Sequence, residues 1–160
     1  MIGLFIINGA IGIRALSVTA YSFKEMLVVL PPIFILLGLL DVWVPRELMV
    51  RYMGEDSKMK GILLAFLLGS AAAGPLYGAF PVAAVLMKKG AKFSNILIFI
   101  GAWSTTKIPM FLFEMSALGS EFAVTRLLVD IPGIIIIAYL VCALIPKEEV
   151  EKIYKNIETM

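Results

Sequence analysis

The stretch that most restricts the fold is residues 69–81, which read GSAAAGPLYGAFP. It lies inside an uncharged run of 27 residues, Gly61 to Met87, which exceeds the roughly 20 residues that a helix needs to cross a bilayer core. Two prolines and three glycines weaken regular helix in its middle. Unpaired backbone groups are tolerated at membrane depth only where protein or a wet cavity surrounds them. The pattern therefore predicts an interrupted membrane helix, which either crosses once with an unwound middle or dips in and returns.

Composition places the chain in a membrane. Of its 160 residues, 61% are hydrophobic and 16% are charged, and the mean hydropathy is +0.97. Soluble domains carry about 45–50% apolar and about 25% charged residues. We therefore expect an all-α integral membrane protein that passes several times through the cell (plasma) membrane, with the lipid bilayer as its surroundings.

The charged and metal-binding residues exclude several classes of partner. A net charge of +2 supplies no basic stripe for nucleic acid. The chain has no histidine and a single cysteine, Cys142, so imidazole sites for zinc or haem and an intramolecular disulfide are excluded. We predict no nucleic acid partner, no metal and no cofactor.

The order of apolar and charged segments predicts three regions and four to five transmembrane helices. Residues 1–24 are expected to form an interfacial or marginal membrane helix, residues 25–146 the transmembrane unit, and residues 147–160 a charged, solvated tail. The predicted spans are Leu27–Val44, Gly61–Met87, Asn95–Leu118 and Ala123–Ile145. The first span should kink or restart at Pro31-Pro32. Pro45–Met53 should lie on the membrane surface as a helix ended by Gly54, with an apolar stripe of Leu48, Met49, Tyr52 and Met53.

Asn95–Leu118 resembles Gly61–Met87 in being interrupted, here by STTKIP at residues 104–109. Lys107 falls near its centre, where a lysine costs roughly 2.5–3.5 kcal/mol on insertion scales. That cost predicts an offsetting contact, either with Asp130 on the next span or with a wet cavity. Arg126 and Asp130 are four residues apart and share one face of a helix that should begin before Arg126.

The two interruptions, near the membrane midplane, predict a path for a small solute or ion, because broken helices expose backbone groups there. The residues expected to line this path are Gly74, Pro75, Tyr77, Gly78, Pro81, Thr105, Thr106, Lys107, Pro109, Glu114, Arg126 and Asp130. No recognisable catalytic set accompanies them, so we predict a protein that is not an enzyme and has no catalytic residues. The alternative is a membrane scaffold or accessory subunit that transports nothing.

Several short motifs carry a resemblance to a known family. They are VPREL at 44–48, YMG at 52–54, LGS at 68–70, GAFPVAA at 78–84, Gly90-Ala91, and the series Pro109, Glu114, Arg126. In these motifs the chain, from about Leu27 to Val141, resembles the predicted-permease family that includes the bacterial organoarsenical-efflux permeases. Family members typically hold two repeat units, and this chain resembles one.

The resemblance implies a half-size permease, one half of an inverted-repeat transporter that works as a homodimer or beside a second half-permease subunit. Arsenical exporters of the family place cysteines in the glycine-proline break, where soft thiolates suit a soft ligand. Residues 69–81 contain no cysteine here. The resemblance therefore implies fold and class, and it does not extend to a thiol-seeking arsenical as the solute.

Overall fold

The computed structural model describes residues 9–72 and 74–159, apart from the side chains of ten residues between 25 and 41. In chain order the helices are α1 (Gly9–Trp43), α2 (Arg46–Met53), α3 (Lys58–Ala71), α4 (Ala79–Lys88), α5 (Phe93–Thr105), α6 (Ile108–Ala117), α7 (Ser120–Leu144) and α8 (Lys147–Glu158). Short 3₁₀ turns at Glu55–Ser57 and Leu76–Gly78 precede α3 and α4. Over these residues the chain is helical without strands, which confirms the predicted all-α class.

Two segments are long and apolar enough to cross a membrane: Phe93–Ala117, which holds α5 and α6, and Ser120–Leu144, which is α7. The Leu76–Lys88 segment is apolar but shorter. Helix α7 begins before Arg126, as predicted. The count of four to five membrane helices is not confirmed by the described residues and stays a prediction.

The chain divides into two units, Met1–Leu39 and Leu40–Met160. In the first, the described backbone is helix α1, which runs unbroken past residue 24 and through both Pro31 and Pro32. The expectation that a new helix starts at this proline pair is therefore wrong. Residues 1–8 of the predicted N-terminal segment lie outside the described residues.

The second unit is built around close packing of α3 on α5. Gly61, Ala65 and Gly69 are buried at four-residue spacing along α3, so small residues form one face of this helix. A Cβ atom on Gly69 would lie 2.5 Å from the carbonyl oxygen of Phe99. The α3 backbone therefore rests almost directly on the α5 backbone, as small residues at this spacing allow.

Around this pair, the core takes Leu86 from α4, Ile134 from α7 and Met53 from α2. The predicted helix α2 is present and ends at Gly54. Its predicted apolar stripe is only half buried: Met49 and Met53 are inside, whereas Leu48 and Tyr52 are exposed.

The turn between α4 and α5 fastens several elements at one end of the second unit. Lys89 Nζ donates to the carbonyl oxygen of Val44 at 2.7 Å, and Lys92 Nζ lies 2.9 Å from Glu55 Oε2. Tyr154 on α8 donates its hydroxyl to the carbonyl oxygen of Ala91 at 2.6 Å. The C-terminal helix is therefore docked through Tyr154 rather than solvated on every face.

Candidate functional site

The first helix break follows directly from glycine and proline chemistry. Helix α3 ends at Ala71, and α4 begins eight residues later at Ala79. Between them Gly74 has φ +110°, a conformation that is costly for residues with a side chain. Pro75 is extended, with φ −71° and ψ 161°. The carbonyl oxygen of Gly74 is therefore outside any helical hydrogen-bond ladder and needs a donor from elsewhere. The carbonyl oxygen of Pro75 accepts from the backbone N–H of Gly78 at 3.0 Å.

The second break is shorter and lies between Thr105, the last residue of α5, and Ile108, the first of α6. Pro109 is in the first turn of α6, where its missing amide hydrogen costs nothing. Thr106 and Lys107 lie between the two helices. Thr106 is 6% exposed, so its hydroxyl must find partners within the protein.

The two breaks are hydrogen-bonded to each other. The hydroxyls of Ser70 and Thr106 are 2.8 Å apart, and Thr106 Oγ1 also donates to the carbonyl oxygen of Ala102 at 3.1 Å. Trp103 donates its indole N–H to the carbonyl oxygen of Pro75 at 3.2 Å. Trp103 near the end of α5 and Thr106 directly after it thus contact the first break and the end of α3 that precedes it.

Lys107 makes the third contact between the breaks. Its Nζ donates to the carbonyl oxygen of Gly74 at 2.6 Å, so the offsetting partner is main chain and the hypothesised pairing with Asp130 is wrong. Gly74 follows the C-terminus of α3, where the helix dipole favours a positive charge. This position of the ammonium group offsets part of its desolvation.

A second polar group surrounds Arg126 on α7. The guanidinium donates through Nη1 to Glu114 Oε1 on α6 and through Nη2 to the carbonyl oxygen of Thr105 at 2.7 Å. Its Nε is 3.4 Å from Asp130 Oδ2, one helical turn further along α7. Arg126 therefore caps the C-terminus of α5 and pairs with two carboxylates. The same-face prediction for Arg126 and Asp130 is confirmed.

An apolar groove of about 310 Å³ runs beside the breaks. Side chains of α3 and α7, such as Phe66 and Ile131, line it together with the Ser70 and Thr106 hydroxyls. A solute in this groove would meet hydrocarbon on most sides and two hydroxyls at the junction of the breaks.

The predicted path residues thus fall into two groups and some outliers. Gly74, Pro75, Thr106 and Lys107 meet at the paired breaks, whereas Thr105, through its carbonyl oxygen, joins Glu114, Arg126 and Asp130. The hydroxyl of Thr105 is turned back to the carbonyl oxygen of Gly101. Gly78 is buried and Pro81 half-buried near the start of α4, while Tyr77 and Pro109 are exposed.

Sequence reasoning missed the roles of Ser70 and Trp103. Each lies within four residues of a helix end that a proline or glycine follows, and each has a side chain that can donate a hydrogen bond. Position next to a break was the available signal, but both also fit an ordinary packing seam.

These features define an all-helical protein with two segments that are long and apolar enough to span a membrane, in which two helix breaks are joined by polar contacts. Comparison with known families identifies the family: the model of the predicted permease family matches residues 13–159. The chain belongs to this family, and the match extends beyond the motif region on both sides. No curated protein and no solved structure matches the chain.

Proposed function

We propose that this protein moves a small solute or ion across the membrane through a path lined by the two helix breaks. Its membership of the predicted permease family supports transport in preference to catalysis. The observation that carries the site is the adjacency of the breaks, which share the Ser70–Thr106 hydroxyl pair beside an open groove. Two breaks far apart in the fold would not provide a common path.

The groove favours a solute that is mostly apolar or neutral. Its two hydroxyls can donate and accept hydrogen bonds, whereas the nearby cation, Lys107, is already bound to a carbonyl oxygen. Cys142 is on α7, outside the residues that line the groove. A solute that requires thiolate ligands is therefore disfavoured.

The proposal also covers how many chains form the transporter. The protein acts as a half-size permease, one unit of an inverted-repeat transporter with four to five spans per unit in the plasma membrane. It pairs with a second copy or with another half-permease subunit. The described residues of one chain supply two segments of spanning length, and a repeat-built transporter places its path between two units.

The test is solute entry into proteoliposomes, followed by stopped-flow light scattering. The probes are glycerol, urea, glycine, acetate and phosphate, which differ in charge but are all small. We expect at least one to enter faster than in protein-free liposomes. Lys107→Met should slow that entry by about tenfold or more, since losing one hydrogen bond to a charged group corresponds to about 1.5–3 kcal/mol. Thr106→Val removes a hydrogen bond between neutral groups, which corresponds to about 0.5–1.5 kcal/mol, and should slow entry by about two- to tenfold.

Lys152→Met is the matched control, because Lys152 is exposed on α8 and pairs with Glu149. It should leave solute entry unchanged, and size-exclusion profiles should show that all variants assemble alike. Equal entry in Lys107→Met and the unmodified protein would contradict the site. Entry no faster than in protein-free liposomes for every probe would favour the alternative of a membrane scaffold or accessory subunit.

A further inference from the structure

The charges around Arg126 do not balance. One guanidinium faces two carboxylates, Glu114 on α6 and Asp130 on α7. It also caps the carbonyl oxygen of Thr105 at the end of α5, where the helix dipole adds roughly half a negative charge. The cluster is therefore short of at least one positive charge in a part of the protein that packs between apolar helices.

The deficit is most acute at Glu114, which is 6% exposed. Its Oε1 accepts from Arg126, but its Oε2 is buried and has no hydrogen-bond partner among the described residues. Asp130 Oδ2 also lacks a hydrogen-bond partner there, but it lies 3.4 Å from Arg126 Nε and its side chain is 25% exposed. A buried ionised oxygen without a partner is strongly unfavourable. A proton on this atom would remove the charge and convert an unsatisfied acceptor into a donor.

A cavity adjoins the cluster on the Asp130 side. This cavity of about 450 Å³ is lined by Glu121, Thr125, Arg126 and Asp130, with Phe122 and Val129. Glu114 does not line this cavity, whereas its partner Arg126 does. Lys107, which directly precedes α6, is another charged group nearby along the chain, and its ammonium group is bound to the carbonyl oxygen of Gly74. Helix α5 contributes no titratable side chain.

We propose that the Glu114–Arg126–Asp130 cluster binds one proton, held on Glu114 Oε2. The proton comes from water in the cavity beside Asp130, forms an O–H bond on Glu114, and returns to that water when it leaves. No other bond changes. The proton is then the coupling ion of the transport proposed above. This coupling rests on the proposed transport function, whereas the binding of a proton to Glu114 does not depend on it.

Arg126 connects the proton site on Glu114 to the proposed solute path. When Glu114 is neutral, the guanidinium loses its strongest acceptor and is drawn towards Asp130 and the Thr105 carbonyl oxygen. Thr105 directly precedes Thr106, whose hydroxyl joins the two breaks through Ser70. Uptake of a proton therefore acts on the backbone at the junction of the breaks.

The test is infrared difference spectroscopy of the full chain in liposomes, between pH about 9 and about 6, a range in which exposed carboxylates stay ionised. We expect the C=O stretching band of one protonated carboxyl to appear at the lower pH. The band should shift when the protein carries ¹³C-labelled glutamate and stay in place with ¹³C-labelled aspartate, which assigns it without any substitution. It should be lost in Glu114→Gln and retained in Glu121→Gln.

Absence of the band from the unmodified protein, a shift with labelled aspartate, or its persistence in Glu114→Gln would each overturn the assignment. Since no solute is needed, failure here leaves the solute-entry result untouched. Conversely, a protein that binds this proton but admits no solute would retain the proton site and lose the transport function.

Discussion

Replacing Gly69 with alanine tests the close approach of α3 and α5 on which the paired breaks depend. The added Cβ would lie 2.5 Å from the carbonyl oxygen of Phe99 and 2.8 Å from Ala102 Cβ. The first of these contacts is with backbone, so a rotamer change cannot relieve it. Helix α3 must instead move away from α5 by about 0.5–1 Å, a gap that already forfeits about a quarter to a half of the dispersion energy of each contact.

The expected cost of this overpacking is about 1–3 kcal/mol. Alanine in place of glycine in a helix also contributes a gain of about 0.5–1 kcal/mol, which hides part of the effect. Gly133→Ala on α7 is the matched control, because a Cβ there meets nothing within 4 Å. The propensity gain cancels between the two variants, so Gly69→Ala should be less stable than Gly133→Ala by about 1–3 kcal/mol.

The assay is reversible unfolding in mixed micelles with increasing dodecyl sulfate, followed by far-ultraviolet circular dichroism. Separation of the helices should also lengthen the 2.8 Å contact between the Ser70 and Thr106 hydroxyls. Solute entry should therefore fall in Gly69→Ala and not in Gly133→Ala. Equal free energies of unfolding for the two variants would refute the close backbone contact and, with it, the joining of the breaks.

Two further predictions concern other contacts. Burial raises the pKa of the Tyr154 phenol from its ordinary value of 10.0 to about 12, so the folded state favours the neutral form. The stability from docking α8 on Ala91 should be complete below pH 10.0 and lost as pH rises towards about 12. Thermal unfolding measured as a function of pH checks this prediction. Tyr154→Phe should reduce the loss of stability at alkaline pH, and an identical loss of stability in that variant would contradict the prediction. Trp103→Phe should lower the free energy of unfolding by about 1 kcal/mol, because it removes the indole N–H that donates to the carbonyl oxygen of Pro75. Trp43→Phe is the control, since Trp43 is 73% exposed, and equal losses in both variants would show that the Pro75 contact contributes nothing.

The breaks could be located from sequence because glycine and proline act locally. Gly74 and Pro75 interrupt a run that is otherwise apolar, and Pro109 sets the start of α6. The proline pair in α1 misled the same reasoning, because regular helix continues through Pro31 and Pro32 despite two missing amide donors. Local chemistry predicts where a helix is weakened, but it does not decide whether the helix stops there.

The contacts of the site were harder to predict. The acceptor for Lys107 is a main-chain oxygen, and every residue has one, so no side-chain pattern distinguishes Gly74. The contact between Glu114 and Arg126 joins two helices across a turn, and such a pairing depends on how α6 folds back onto α7. By contrast, Arg126 and Asp130 could be paired from their spacing alone, because the helix itself brings them together.

Three of the side chains that hold the helix ends in place bind main-chain oxygens: Trp103 at Pro75, Lys107 at Gly74, and Arg126 at Thr105. A carbonyl oxygen persists whatever side chain its residue carries. Substitutions at the acceptor positions can therefore weaken these joints only by bending the chain, whereas substitutions at the donors remove them outright. The donor side chain alone therefore determines whether each of these contacts can form. The sequence of the first break can vary in related chains as long as its backbone keeps the same conformation.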